Sequence, residues 1–433
     1  MQDIPQLLDD YRVGRQRPDS VLGRLFEAIE QSPLNSFIAL DREALAAATP
    51  VGRLAGIPIA VKDLIDARGL PTTLGSKQFE QAPPAERDAE VVRRLRAEGA
   101  LIIGKTNTHE IAYGSTGDKS AFGPVRNPHD PERVAGGSSS GSAAAVAAGL
   151  CPAALGTDTS ASVRIPAALC GVVGIKPGYD LLPRDGIAKL SPTLDHAGVI
   201  SRSVADNALL LEVLAQAPGG TYTGKLDRPV AGQRIGMLTG FYASHLVPEV
   251  RAAVRAARAA FERAGATVID IDLAAAQDIY DAQQVILKAE AYHEHEAALR
   301  AQAAFDPEIR ERLLTGQDIK ASEYLCALAR RRMAIQAFDE ALAQVDVLFS
   351  ATCGITAPRI GERVTRVGDT DYPTMWLLTR LTVPSSLSGH PSLSVPFSAS
   401  AGLPIGIQLI GRYHDETTLY QYARLLETSR KPS

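Results

Sequence analysis

Short apolar runs alternate along this chain with stretches in which apolar residues recur every three or four positions. Residues 1–50 show mostly the second pattern, which is typical of helices. A strand-like run follows at Gly56–Ile65, and a helix predicted over Asp88–Glu98 leads into a strand at Ala100–Gly104. Strands that alternate with helices indicate an α/β fold, here a mixed, mostly parallel central sheet covered by helices on both faces.

The composition changes at about residues 234–345, where long helices rich in Ala, Arg and Glu follow two short strand-like runs. Further strands and a final helix are predicted at Val345–Ser350, Pro391–Phe397, Pro404–Ile410 and Asp415–Leu426. We therefore predict a single domain over residues 1–433. In it, 234–345 is a helical elaboration and about 346–433 is a return of the chain to the core.

Charge and cysteine usage narrow the class of protein. The 45 basic and 49 acidic residues give a net charge of −4, so no strong field favours nucleic acid or an anionic membrane. Four widely spaced cysteines form no CxxC pair, which argues against a zinc site and a disulfide scaffold. The N-terminus lacks a secretory pattern, and no stretch reaches the length of an apolar membrane helix. We expect a cytoplasmic protein.

Three residues have the chemistry of nucleophilic catalysis. Lys62 interrupts an apolar strand, Ser138 lies in a glycine- and serine-rich turn, and Ser162 follows a short strand that ends in GTDT. Burial disfavours the ammonium form, and a neutral lysine is a general base that activates a serine. Each residue alone also fits an ordinary role, because a lysine at a sheet edge points to solvent and serines in such turns cap helices.

Longer motifs surround these three residues. Residues 58–63 read PIAVKD, residues 136–149 read GGSSSGSAAAVAAG, and residues 156–177 read GTDTSASVRIPAALCGVVGIKP. With these motifs the chain resembles the amidase signature family of serine amidohydrolases, strongly over about 55–215 and more weakly over about 345–425. The first of these two regions would be the core of the predicted domain.

The resemblance implies a Ser-cisSer-Lys triad. Ser162 would be the nucleophile, Ser138 the bridging serine after a cis Gly137–Ser138 peptide bond, and Lys62 the base. In this scheme Lys62 accepts the proton of Ser138, which accepts the proton of Ser162. The family needs neither a metal nor an organic cofactor, so we expect none.

The residues before the nucleophile depart from the family pattern. The family holds its oxyanion with backbone N–H groups of this turn, here of Thr159, Ser160, Ala161 and the nucleophile, and Asp158 and Arg164 match positions that orient it. Ser160 and Ala161 stand where the family usually has two glycines. Since glycine permits positive φ and close approach of a substrate, we expect these side chains to change the turn or narrow the acyl site.

The resemblance leaves the substrate open. It implies a monomeric or homodimeric hydrolase that cleaves a C–N bond of a small amide or carbamate (urethane), with esters as further candidates, through an acyl-enzyme. Two alternatives are the glutaminase subunit of a tRNA-dependent amidotransferase and a catalytically inactive binding or scaffold protein. We expect substrate contacts from Tyr113, Gly114, Ile355 and Trp376, and no nucleic-acid or membrane partner.

Two other motifs favour structural roles. Residues 137–141 fit GxSxG around Ser139, but no hydrophobic strand precedes them, as a nucleophile elbow requires. Residues 293–296 read HEHE, which is not the HExxH pattern of a zinc site, and we predict a solvated helix face there. No metal site is therefore predicted.

Overall fold

The computed structural model of the chain describes residues 2–44 and 51–430. The helices are α1 (Ile4–Arg12), α2 (Pro18–Gln31), α3 (Glu90–Ala97), α4 (Ser140–Ala147), α5 (Arg164–Cys170), α6 (Val204–Leu214), α7 (Pro248–Arg263), α8 (Ala276–Arg300), α9 (Pro307–Leu314), α10 (Ala321–Leu342), α11 (Thr374–Thr379), α12 (Val383–Ser388) and α13 (Glu416–Ser429). The strands are β1 (Phe37–Leu40), β2 (Pro58–Lys62), β3 (Leu101–Thr106), β4 (Arg126–Asn127), β5 (Asp130–Val134), β6 (Ala153–Asp158), β7 (Val173–Lys176), β8 (His196–Ser201), β9 (Arg234–Leu238), β10 (Thr267–Ile271), β11 (Val347–Ala351), β12 (Val364–Val367), β13 (Thr370–Pro373), β14 (Ser392–Ser400) and β15 (Leu403–Ile410).

The main sheet has eleven strands in the order β1-β3-β2-β6-β8-β7-β14-β15-β11-β9-β10. Parallel pairing joins β3, β2 and β6 near one end and β11, β9 and β10 at the other. The strands between these two groups pair antiparallel, as does β1 with β3. The predicted mixed α/β sheet is confirmed, and its parallel pairing lies in the two flanking groups.

Helices cover both faces of the sheet because alternate strand residues are apolar on each side. On one face, Ile59 and Val61 of β2 join the apolar side chains of α3, α6, α7 and α13. On the other, Ala60 packs with the small residues of α4, and α5 packs against β14 and β15. Lys62 follows the same alternation as Ala60, so its side chain lies on the α4 face.

The N-terminal region is less helical than its pattern predicts. After α1 and α2 the chain forms β1, which pairs antiparallel with β3. Residues 45–50 of this prediction lie outside the described residues. The long helices predicted within 234–345 are α7, α8 and α10, with the shorter α9 between the last two. Among the helices that the structure describes, none combines the length and apolarity needed to cross a membrane.

Candidate active site

Lys62 ends the buried strand β2 and meets two hydroxyl groups. Its Nζ lies 2.6 Å from Ser138 Oγ and 2.7 Å from Thr157 Oγ1, and the side chain is fully buried. Burial lowers the pKa of Lys62 from 10.5 to about 7, against the opposing charges of Asp158 and Asp195. The amine is therefore neutral in a large fraction of molecules near pH 7. Sequence reasoning missed Thr157, although it stands in the quoted GTDT.

Ser138 lies in the turn before α4, and its backbone is fixed by the segment that precedes this turn. The Gly137–Ser138 peptide bond is cis. The carbonyl oxygen of Ser138 accepts hydrogen bonds from His109 N at 3.1 Å and Thr108 Oγ1 at 2.9 Å. A Cβ at Gly137 would stand 2.8 Å from the Gly114 carbonyl oxygen, so only glycine fits this close approach.

Ser162 lies in the turn between β6 and α5. Ser139 N donates to the Ser162 carbonyl oxygen at 3.0 Å, which brings the turn of the bridging serine against that of the predicted nucleophile. Thr159, at the start of this turn, donates its hydroxyl to Asp195 Oδ1 at 2.7 Å. Burial raises the pKa of Asp195 to about 6. The structure thus brings Lys62, Ser138 and Ser162 to one place.

Asp158 and Arg164 form a fully buried, bidentate ion pair beneath the turn. Arg164 Nε and Nη2 lie 3.0 Å from the two oxygens of Asp158, and Val163 N also donates to this carboxylate, at 3.2 Å. Burial acts to raise the pKa of Asp158, but Arg164 overcomes it and holds that pKa below its ordinary value. Both side chains orient the turn from behind, where we placed them from sequence.

Ser160 is held by a side chain that the sequence did not reveal. Gln283 of α8, itself buried, donates Nε2 to Ser160 Oγ at 2.8 Å, and Gln284 Nε2 donates to Gln283 Oε1 at 2.7 Å. Ala161 packs in the apolar cluster around Ile165. Neither Ser160 nor Ala161 adopts positive φ. The turn therefore holds its conformation without glycine, and its added hydroxyl has a partner.

A cavity of about 270 Å³ opens at Ser162. Tyr113, Gly114 and Trp376 line it, as expected from the sequence. Ile355 instead lies in the buried apolar cluster that contains Leu377 and does not belong to the described lining. Its apolar character signalled burial in the core and not contact with a substrate. The remaining lining residues are Ala112, Ser115, Gly137, Thr159, Ser160, Ala161, Ile165, Leu190, Tyr280, Gln284, Leu287, Lys288, Arg312, Thr315, Pro373, Met375 and Thr379.

One face of α8 supplies residues that the sequence interpretation missed. Tyr280, Gln284 and Lys288 follow one another at one helical turn and share that face. The spacing alone predicts a common face, but it does not say what the face contacts. Arg312, on α9, stands with its guanidinium 5.5 Å from the centre of the Tyr113 ring.

The two decoy motifs have structural roles. Ser139 is buried, exchanges hydrogen bonds with the backbone of Thr157 and does not belong to the described lining of the cavity. In the HEHE run, His295 is buried against Phe305, so the prediction of a wholly solvated face is wrong for this residue. Within the described residues no group of His, Cys, Asp and Glu is placed to hold a metal ion.

Comparison with known proteins identifies the family. A family model described as Amidase matches residues 17–420. The chain belongs to the amidase signature family. Like its relatives, this amidase is a hydrolase that acts on carbon–nitrogen bonds other than peptide bonds.

Individual relatives match over nearly their whole length. The chain is 36% identical, over 92% of both sequences, to a Glutamyl-tRNA(Gln) amidotransferase subunit of Koribacter versatilis (strain Ellin345). A crystal structure of an amidase has a TM-score of 0.92 at 35% identity, covering 99% of this chain and 100% of the other. The structure of the Glutamyl-tRNA(Gln) amidotransferase subunit of the same name from Thermotoga maritima has a TM-score of 0.83 at 33% identity, covering 95% and 92%.

These relatives overturn our expectation about partners. A monomer or homodimer that acts on a small molecule, with no nucleic acid involved, is wrong as a prediction, because near-full-length relatives are named as one subunit of an enzyme of glutamyl-tRNA(Gln). Net charge reports only the field of the chain itself. A nearly neutral chain therefore does not exclude a nucleic acid held by another subunit.

Proposed function

We propose that this amidase is the glutamine-hydrolysing subunit of a tRNA-dependent amidotransferase. The observation that carries the proposal is its match, over 92% of both sequences, to one subunit of such an enzyme. The geometry supports it, since a buried amine and two serine turns meet at one cavity. An inactive scaffold finds no support in this arrangement, and the relatives' names favour the amidotransferase over a urethanase.

The chemistry would proceed through an acyl-enzyme. Neutral Lys62 takes the proton of Ser138, Ser138 takes that of Ser162, and Ser162 Oγ attacks the amide carbonyl carbon. Backbone N–H groups of residues 159–162 stabilise the oxyanion of the tetrahedral intermediate. The proton returns to the leaving nitrogen, which departs as ammonia, and water then releases glutamate from Ser162 by the same steps.

The nucleophile is tested by covalent labelling. A serine-directed phosphonylating probe should label the wild-type protein once, and Ser162→Ala should abolish both labelling and ammonia release from glutamine. Ser139→Ala is the matched control, because Ser139 is the serine of the GxSxG motif, and it should keep the label. Loss of the label in Ser139→Ala and its persistence in Ser162→Ala would overturn the assignment.

The proposed role within a larger enzyme needs a second experiment. The tagged chain, purified from its native host together with the proteins that bind it, should convert glutamyl-tRNA(Gln) to glutaminyl-tRNA(Gln) with glutamine as nitrogen donor. Ser162→Ala in the same complex should lose glutamine as a donor but still use added ammonium. Full amidase activity of the isolated chain on simple amides, with no transamidation by the purified material, would contradict the proposal.

A further inference from the structure

The charged groups that line the active-site cavity are all cationic. They are Lys288 and Arg312, and the described lining contains no Asp or Glu. We infer that the site recognises its substrate through an anionic group, a carboxylate on the acyl half, and that Lys288 is the residue that binds it. The inference deepens the proposed function and rests on it, because glutamine carries such a carboxylate.

Lys288 has a charge that the protein itself does not neutralise. Its side chain is half-buried on the α8 face that also presents Gln284 to the cavity. Its ammonium group has no ion pair or hydrogen bond with any residue in the described part of the chain. A half-buried cation beside apolar walls is poorly screened and attracts an anion more strongly than an exposed one does.

Arg312 is fixed at the same wall. Its Nη2 lies 2.9 Å from a Glu308 oxygen, and its Nη1 donates to the Tyr113 carbonyl oxygen. Glu308 is shared with Arg363 at 2.9 Å and Lys119 at 3.7 Å. A guanidinium has five N–H donors, and these two contacts leave others for a ligand. Arg312 thus supports an anion site in which Lys288 supplies the uncompensated charge.

The lining offers no matching partner for an ammonium group. A free amino acid brings both a carboxylate and an α-ammonium, and a cation moved into this cavity would lose water without gaining a carboxylate. The site therefore selects for the carboxylate of a substrate and not for its α-ammonium. An amide that keeps the carboxylate but lacks the amino group should be used at least as well as glutamine.

Three amides of the same chain length test this selection. They are glutaramate, which is glutamine without its amino group, glutamine itself, and pentanamide, which has a methyl group in place of the carboxylate. We expect kcat/KM for glutaramate to exceed that for pentanamide at least about tenfold and to equal or exceed that for glutamine. Equal values for glutaramate and pentanamide would overturn the inference.

Variants assign the effect to Lys288. Lys288→Met should raise KM for glutaramate about tenfold and leave the kinetics of pentanamide unchanged, while Lys288→Arg should retain most of the wild-type preference. Lys189→Met is the matched control, because Lys189 is exposed and adjoins the lining residue Leu190 without lining the cavity. Equal losses on both amides in Lys288→Met would contradict anion recognition.

The outcome separates this inference from the proposed function. Turnover of glutaramate without turnover of glutamine would refute the glutaminase and leave the anion site standing. If none of the three amides is hydrolysed, calorimetric binding of glutaramate to Ser162→Ala decides, since binding that Lys288→Met weakens tenfold supports the site. No binding of glutaramate at millimolar concentration would overturn it.

Discussion

A lysine acts as a base only where its amine is neutral at working pH. In this amidase burial against Ser138 and Thr157 produces that state, lowering the pKa of Lys62 to about 7. An exposed lysine stays protonated to about pH 10 and is a poor base at neutrality. The desolvation that makes Lys62 useful also disfavours its charged form, so protonation should switch the site off.

Activity should therefore fall on the acidic side. Because the neutral form of Lys62 is the active one, kcat/KM should decrease about tenfold for each pH unit below about 7 and level off above it. The measurement is a pH profile of kcat/KM between pH 5 and 9, in buffers of constant ionic strength, with stability checked at each pH by circular dichroism.

Lys62→Met provides the control for this profile, since methionine fills similar space without an ionisable amine. It should lose most activity, and the residual rate should lack the inflection near pH 7. A wild-type rate that stays constant down to pH 5 would contradict a base with this pKa. So would an unchanged inflection in Lys62→Met.

At the scale of elements, helix α8 connects the variable part of the chain to the nucleophile turn. One of its faces lines the cavity, and Gln283 beside that face bonds Ser160. Since Ser160 precedes the nucleophile by two residues, the position of α8 is tied to the backbone that would hold the oxyanion. A helix outside the family motifs therefore takes part in the geometry of the site.

Gln283→Leu should weaken catalysis without changing substrate binding. Loss of one neutral hydrogen bond is worth roughly 0.5–1.5 kcal/mol, so we expect kcat to fall about 2- to 10-fold on neutral and anionic amides alike, with KM little changed. Gln277→Leu is the matched control, because Gln277 is exposed on the same helix and bonds only Asp281 among the described residues.

A double-mutant cycle shows whether the effect passes through Ser160. In a Ser160→Gly background, which restores the residue usual in the family, Gln283→Leu should have much less effect than in the wild type. Additive losses of the two variants would mean that Gln283 acts elsewhere. A rise in KM confined to anionic amides would instead place Gln283 among the substrate contacts.

The two kinds of element differ in what a sequence reveals. Lys62 and the turns at Ser138 and Ser162 lie in continuous motifs whose local chemistry is unusual, so strand, turn and helix could be predicted around them. The contacts of Gln283 and Lys288 depend on how α8 packs against a turn more than 120 residues away. Helical periodicity fixes which residues share a face but not which cavity that face meets.

At the scale of the molecule, the C-terminal strands join two parts of the sheet. Strands β14 and β15 lie between β7, from the motif-bearing half, and β11, from the second half. Arg164 reinforces this junction. Its Nη1 lies 2.8 Å from both Ser385 Oγ and Gln408 Oε1, and its Nη2 lies 2.7 Å from Ser386 Oγ.

Arg164→Met should therefore destabilise the whole protein. Removal of one partner from a buried ion pair leaves Asp158 without a countercharge, which typically costs about 3–5 kcal/mol. Arg258→Met is the matched control, because the pairs of Arg258 with Glu262 and Asp270 are largely exposed and should contribute less than about 1 kcal/mol. Urea unfolding followed by fluorescence and circular dichroism measures both variants. Equal stability losses would contradict a special role for Arg164, whereas a cooperative transition shifted only in Arg164→Met would show that one buried pair supports both the nucleophile turn and the junction of the sheet.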